Sequence, residues 1–238
     1  MEIENALYLI PVNISDAPLE NVIPALNFKI ISQIKVFIVE NIRTARRFIK
    51  KCYPEADIDT ISFFELNRHT PETEINSFLD PLRRNIPTGV MSEAGCPGVA
   101  DPGARVVEIA QSENLKVIPL VGPSSILLAL MGSGFNGQSF AFHGYLPIEK
   151  GAREKKIREL EDLSRRHDTT QIFIETPYRN NKMIESLAQT LKGTTKVCVA
   201  ADLTDVEKET IMVRKGADWK KPHPDFDKRP AIFLIYSR

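Results

Sequence analysis

Apolar residues along this chain fall in short runs separated by turn-forming clusters, and between several runs the spacing changes to the three-and-four repeat of a helix. The first run, residues 6–12, includes Pro11 and is followed by Asn13, Ser15 and Asp16, which predicts a buried strand leading into a loop. A mostly apolar stretch over 19–31, a β-branched run over 36–39 and a helical pattern over 43–52 come next. The alternation continues with strands near 61–65, 88–91, 116–120 and 139–143, and with helices over 71–82, 103–112 and 124–131. Strands alternating with helices predict βαβ units around a largely parallel sheet.

Gly144, Pro147 and Gly151 then break the pattern, and a charged helix is predicted over 152–163. The domain boundary is placed at this turn-rich stretch: 1–146 as an N-terminal α/β domain with glycine-rich loops, 147–238 as a C-terminal α/β domain. Downstream, strands are predicted over 170–174, 196–200, 209–214 and 231–236, with one helix over 180–191. The late strands follow one another without intervening helices, so the second sheet is expected to be mixed. Residues 215–230, with Trp219, Pro222, Pro224 and several charges, read as a surface loop.

Composition narrows the classes. A chain of 238 residues holds one large domain or two modest ones, and 42% hydrophobic with 26% charged residues places it among globular proteins rather than disordered chains. No uninterrupted apolar run exceeds six residues, so no membrane-spanning helix is expected. The sequence opens Met1-Glu2-Ile3-Glu4, acidic where a signal peptide is basic, so the expected location is cytoplasmic. Cys52, Cys96 and Cys198 form no C-x-x-C pair and the four histidines have no ligand spacing, so neither a disulfide framework nor a metal site is expected. Thirty-one basic residues balance thirty-one acidic ones, so any nucleic-acid partner must meet a local patch. One candidate is Arg43, Arg46, Arg47, Lys50 and Lys51, a stretch containing no acid; the other reading of it is a solvated helix face.

Three loops carry the candidate chemistry. Gly132-Ser133-Gly134-Phe135-Asn136-Gly137 matches G-x-G-x-x-G in letters, but it follows a predicted helix instead of a strand and is read as a helix end. The densest cluster runs from Ser92-Glu93-Ala94-Gly95-Cys96-Pro97 to Asp101-Pro102-Gly103, directly after a predicted parallel strand, where open α/β sheets bind ligands. Its glycines let a backbone approach a flat ligand, while Asp101 also suits an N-cap with Pro102 at the first helical position. Val121-Gly122-Pro123-Ser124-Ser125 leaves another strand, with a serine able to cap the next helix. The last two of these loops, with the Pro11 loop, are expected to converge on one edge of the sheet.

Four motifs in order carry a resemblance: Leu7-Tyr8-Leu9-Ile10-Pro11; Ser92-Glu93-Ala94-Gly95-Cys96-Pro97 leading to Asp101-Pro102-Gly103; Pro119-Leu120-Val121-Gly122-Pro123-Ser124; and Phe142-His143-Gly144-Tyr145-Leu146-Pro147. They resemble the tetrapyrrole (corrin/porphyrin) methylase superfamily, and within it the ribosomal small-subunit RNA methyltransferase I branch. Ile172-Phe173-Ile174-Glu175-Thr176-Pro177-Tyr178-Arg179 extends the resemblance to nearly the whole chain.

The resemblance implies two α/β domains on parallel and mixed sheets with S-adenosylmethionine in the cleft between them, and a homodimer. By motif position, the cofactor contacts would be Pro11, Ala94, Gly95, Cys96, Val99, Ser124 and Ser125, with Glu175 and Leu203 from the second domain. The implied reaction is 2′-O-methylation of a ribose in ribosomal RNA, with Glu93 and Glu40 as carboxylates able to help deprotonate the hydroxyl and Arg43, Arg46 and Arg47 holding phosphates. Each carboxylate also reads as a helix-end or surface acid.

The chain departs from the branch at three places. Pro11-Val12-Asn13-Ile14-Ser15-Asp16 lacks the glycine of P-T-P-I-G-N; Glu40-Asn41-Ile42-Arg43 replaces E-D-T-R; and Ala201-Asp202-Leu203-Thr204-Asp205 replaces R-E-L-T-K, losing two cations. Two other functions therefore stay open: methylation of a tetrapyrrole or other small molecule, and S-adenosylmethionine binding without catalysis.

Overall fold

The computed structural model describes residues 2–67 and 69–238, and the chain forms two compact units, one ending at Ser124 and the other Ser125–Arg238. The first unit contains β1 (Leu7–Leu9), α1 (Ala25–Ile31), β2 (Val36–Val39), α2 (Ile42–Cys52), β3 (Ser62–Glu65), α3 (Glu72–Ile75), α4 (Asp80–Arg83), β4 (Thr88–Met91), α5 (Gly103–Ser112) and β5 (Val117–Pro119). The strands lie in the order β3-β2-β4-β1-β5, all parallel, with Leu7 opposite both Thr88 and Val117.

Both faces of this sheet are covered, which is why its strands read as apolar runs without strict alternation. Tyr8, Ile10, Phe37 and Val39 pack on one face with Ile30 and Ile31 of α1 and Phe48 and Ile49 of α2. Leu7, Ile38 and Val90 point to the other, against Phe78, Leu79, Leu82, Val106 and Ala110. Fully burying each such side chain contributes about 1.5–3 kcal/mol. Gly89 sits at the centre because a Cβ there would lie 2.8 Å from the side chains of both Ile10 and Phe37. The helix expected over 71–82 is broken into α3, a tighter turn Asn76–Leu79, and α4. Pro81 lacks the amide, and its ring crowds the carbonyl a turn earlier, so one continuous α-helix cannot form.

The second unit contains α6 (Ser125–Ser133), β6 (Phe140–Tyr145), α7 (Lys150–His167), β7 (Thr170–Ile174), α8 (Asn180–Thr190), β8 (Lys196–Ala201), β9 (Thr210–Lys215) and β10 (Ala231–Tyr236). Its sheet order is β6-β7-β10-β8-β9; β6 pairs parallel with β7 and the other pairs are antiparallel, giving a mixed sheet. Ile157 and Leu160 of α7 and Met183, Ile184 and Leu187 of α8 cover one face over Phe173, Val199 and Phe233. The Glu149 carboxylate caps α7 by accepting from the amides of Gly151 and Ala152, and Asp168 ends it with φ +51°.

Two expectations are corrected here. The boundary expected between Leu146 and Pro147 lies at Ser124/Ser125: β6 hydrogen-bonds β7, and α6 lies against β8, β9 and β10, so both belong to the second unit. Residues 215–230 are not wholly surface. A 3₁₀ turn Gly216–Lys220 seats Trp219, and Phe226 follows; they are 3% and 0% exposed and join the second core. The indole N–H of Trp219 donates to the Val197 carbonyl at 3.3 Å, satisfying the one polar group the ring brings inside.

Candidate functional site

In the first unit, the connections leaving β1 and β4 run to opposite faces of the sheet: α1 packs in one core and α5 in the other. These strands are neighbours, so their carboxyl ends flank a topological switch point, the place where open parallel sheets bind ligands. Three loops meet there. Val12 N–H donates to the Gly95 carbonyl at 3.0 Å and Gly95 N–H returns to the Val12 carbonyl at 3.2 Å, fastening the Pro11 loop to the glycine-rich loop. The Cys96 thiol lies 3.4 Å from the Pro123 carbonyl, joining the third loop. A Cβ at Gly122 would sit 2.2 Å from Cβ of Pro11, so only glycine lets these segments touch. The convergence expected from sequence is present.

The glycine-rich loop is held in a shape that side chains resist. Gly95 and Gly98 have φ of +72° and +84°, in the left-handed region that favours glycine. A Cβ on Gly98 would meet nothing within 4 Å, so the backbone there borders open space. Ala94 and Val99 are exposed on the same loop, while Pro11 is buried and Cys96 half-buried. Burial pushes the Cys96 thiol above its ordinary pKa, so it stays a neutral wall group. Asp101 closes the loop: Oδ1 accepts from the Gly103 amide at 2.7 Å, as an N-capping carboxylate does, although α5 begins after Pro102. Its Oδ2 is buried with no hydrogen-bond partner among the described residues.

Glu40 and Glu93, expected separately, are brought together. They follow the neighbouring strands β2 and β4, and the Glu93 amide donates to Oε1 of Glu40 at 3.0 Å. The Thr44 hydroxyl in the first turn of α2 donates to the Glu93 carboxylate. Burial raises the Glu40 pKa; the Glu93 amide opposes that, and the negative charges of Asp101 and Glu93 reinforce it.

Sequence spacing missed Thr44 because its partner lies forty-nine residues away. The available signal was its position in the turn after Asn41, which caps α2 by accepting from the amides of Arg43 and Thr44.

The basic residues of α2 separate into two kinds. Arg46 pairs with Asp59 at 2.9 Å, and Lys50 donates to the Pro54 carbonyl at 2.9 Å. Among the described residues, Arg43, Arg47 and Lys51 have no ion pair. Arg47 and Lys51 line a cavity of about 230 Å³ whose other walls include Val12 and Asn13 of the Pro11 loop, Phe48 of α2, and Ser92 and Glu93 of the glycine-rich loop.

Ser124 ends the first unit and Ser125 begins α6. In the second unit, Glu175 is 6% exposed, paired with Arg179 at 3.0 Å, and accepts from the Thr176 amide at 2.7 Å. Leu203 is buried between Asp202 and Thr204, both at positive φ. The structure therefore assembles Pro11, Gly95 and Cys96 directly, carries Ala94 and Val99 on the same loop, and gives Glu175 and Leu203 settings within the second unit. Among the described residues no group of His, Cys, Asp or Glu side chains could hold a metal, and no helix is long and apolar enough to cross a membrane.

No protein-family model matches the chain. Among curated proteins, it is 33% identical over 141 residues to a ribosomal RNA small subunit methyltransferase I of Vibrio cholerae, covering 59% of this chain and 48% of that protein. To the Bacillus subtilis protein of the same name it is 32% identical over 206 residues, covering 86% and 66%. To that of Micromonospora olivasterospora it is 30% identical over 208 residues, covering 87% and 62%. The chain thus spans between about half and two thirds of the length of these relatives. Among solved structures, the methyltransferase CobJ matches with a TM-score of 0.63 at 14% identity over 98% of this chain and 94% of that one. Cobalt precorrin-4 methyltransferase, CbiF, matches at 0.59 and 17% over 98% and 95%. These structural likenesses concern the fold.

Proposed function

We propose that this chain, similar in sequence to ribosomal RNA small subunit methyltransferase I proteins and in fold to the methyltransferases CobJ and CbiF, is a member of the tetrapyrrole methylase superfamily that methylates a ribose 2′-hydroxyl of small-subunit ribosomal RNA. The methyl donor in this reading is S-adenosylmethionine. The observation that carries it is the fastening of three loops at the switch point by the Val12–Gly95 pair and the Cys96–Pro123 contact.

The residues present fit that donor. Open space beside Gly98 lets a ligand reach main-chain atoms, and the unpartnered buried Oδ2 of Asp101 supplies a negative charge suited to a sulfonium or ammonium cation. Pro11, Ala94, Gly95, Cys96, Val99 and Ser124 are assigned to holding the donor in the first unit. Ser125, Glu175 and Leu203 are assigned by motif position alone. When bound, the donor supplies an activated methyl group for in-line displacement.

The protein's own task is mostly alignment, which alone lowers barriers by many kcal/mol when the reacting atoms are held in line. Glu40, pinned by the Glu93 amide, is the group assigned to accept the hydroxyl proton; its raised pKa makes its carboxylate form a better base than an ordinary one. Glu93, fixed by Thr44, is assigned to positioning. An RNA acceptor and the acid-free patch on α2 go together, and this reading carries a cytoplasmic location and a homodimer with it.

The test is transfer of labelled methyl groups from S-adenosylmethionine to purified small-subunit particles and to naked ribosomal RNA, with ribose methylation mapped in cells lacking the protein. Incorporation at one ribose, absent from those cells, is expected. Transfer confined to tetrapyrroles, or none to either acceptor, would overturn the assignment.

A further inference from the structure

We propose that the cavity beneath Arg47 and Lys51 holds one nucleotide of the acceptor strand, with a phosphate between the two cations and the ribose and base over the apolar floor. The proposal rests on the ribosomal RNA reading above and adds the place where the acceptor enters.

The selection of Arg47 and Lys51 comes from what the other cations of α2 are doing. Arg46 is occupied by Asp59 and Lys50 by the Pro54 carbonyl. Arg47 and Lys51 stand four residues apart, hence on one face of the helix, and no carboxylate answers either among the described residues. Like charges so placed destabilise a helix by about 0.2–0.5 kcal/mol, a cost that an anion seated between them reverses. Both line the same cavity, so the anion has a defined place to bind.

The cavity's remaining walls exclude simpler occupants. Phe48, Val12 and Met91 give it an apolar floor, which a free inorganic anion would leave unused. The two cations also repel a sulfonium. One nucleotide, anionic at one end and ring-bearing at the other, matches rim and floor together. Glu93 is part of the wall and its amide holds Glu40, so a nucleotide lodged here is the one the carboxylate pair serves.

The test measures binding of a short, labelled, single-stranded oligoribonucleotide by fluorescence anisotropy over a range of salt. The unmodified protein is compared with Arg47→Gln/Lys51→Gln and with Lys116→Gln, an exposed cation outside α2. The double variant is expected to bind about tenfold or more weakly, with a plot of log affinity against log salt shallower by about 0.7–1.4, while Lys116→Gln stays within about twofold. An unchanged affinity and slope in the double variant would overturn the proposal, and so would an equal loss in Lys116→Gln, which would mean a diffuse basic surface. Calorimetry with S-adenosylhomocysteine on the same proteins separates this inference from the parent reading. Donor binding with RNA affinity indifferent to the double substitution removes the cavity alone; no donor binding by the unmodified protein removes the methyl-transfer reading.

Discussion

The amide of Glu93 donates to the Glu40 carboxylate at 3.0 Å, tying together the ends of two neighbouring parallel strands and holding a half-buried acid beside the loop that closes on Asp101. Because burial and two nearby negative charges raise the Glu40 pKa, its ionised form is disfavoured in the folded protein. A raised folded-state pKa contributes stability that is full below the unfolded-state value and is lost as pH rises through the folded one. Glu40→Gln keeps an oxygen for the Glu93 amide and removes the charge. It is expected to be at least as stable as the unmodified protein at neutral pH, with any advantage vanishing in acid, as thermal melts across pH will show. Methyl transfer is expected to fall by about 10²–10⁴-fold. In the unmodified protein the acid limb of the rate profile should lie at higher pH than an unburied glutamate would give.

Gly122 faces Pro11 so closely that a Cβ would lie 2.2 Å from a proline carbon, and proline cannot swing aside. Gly122→Ala should therefore part the first and third loops, costing about 1–3 kcal/mol in denaturant titrations. Donor affinity should fall in the same protein, since the displaced loops are those assigned to the donor.

Asp101→Asn tests the unpartnered oxygen. The amide oxygen can still cap the Gly103 N–H, while the amide nitrogen takes the buried, unpartnered place of Oδ2, so stability should fall by about 1–3 kcal/mol in denaturant titrations. Loss of the charge facing a cationic donor should weaken S-adenosylmethionine binding about tenfold, or ~1.4 kcal/mol, in calorimetry. Equal affinity in both proteins would leave Asp101 as a helix cap only.

Trp219→Ala should cost about 3–5 kcal/mol, seen as early melting of the second unit, because the ring is 3% exposed against Phe226. A substitution in a true surface loop would cost little.

The alternation of strands and helices exposed the parallel first sheet and the mixed second one, since crossover helices and late unconnected strands leave different periodicities. It did not assign Phe140–Tyr145 to a sheet: an apolar run looks the same whichever neighbour it hydrogen-bonds, and here that neighbour is β7. Trp219 and Phe226 were hidden by the prolines and charges around them, which face outward while two aromatic anchors turn in. The three loops were legible because glycine, proline and serine clusters mark strand-to-helix turns. Their fastening was not, since Val12 and Gly95 pair through main-chain atoms that any residue possesses. The basic stretch was visible as a group, but only the fold shows that Asp59 occupies Arg46, leaving Arg47 with Lys51 at the cavity.

The central claim is that the loop around Gly95 grips the donor through its backbone, and calorimetric titration with S-adenosylhomocysteine tests it most directly. Gly95 has φ +72°, and its Cβ position lies 3.4 Å from both Ile14 and the Pro123 carbonyl, so Gly95→Trp must distort the loop or fill the site. Saturable binding to the unmodified protein, and a loss of about a hundredfold or more in Gly95→Trp with the fold retained by circular dichroism, is the expected result; a hundredfold corresponds to ~2.7 kcal/mol. Equal affinity in the two proteins, or no binding to either, would contradict the account.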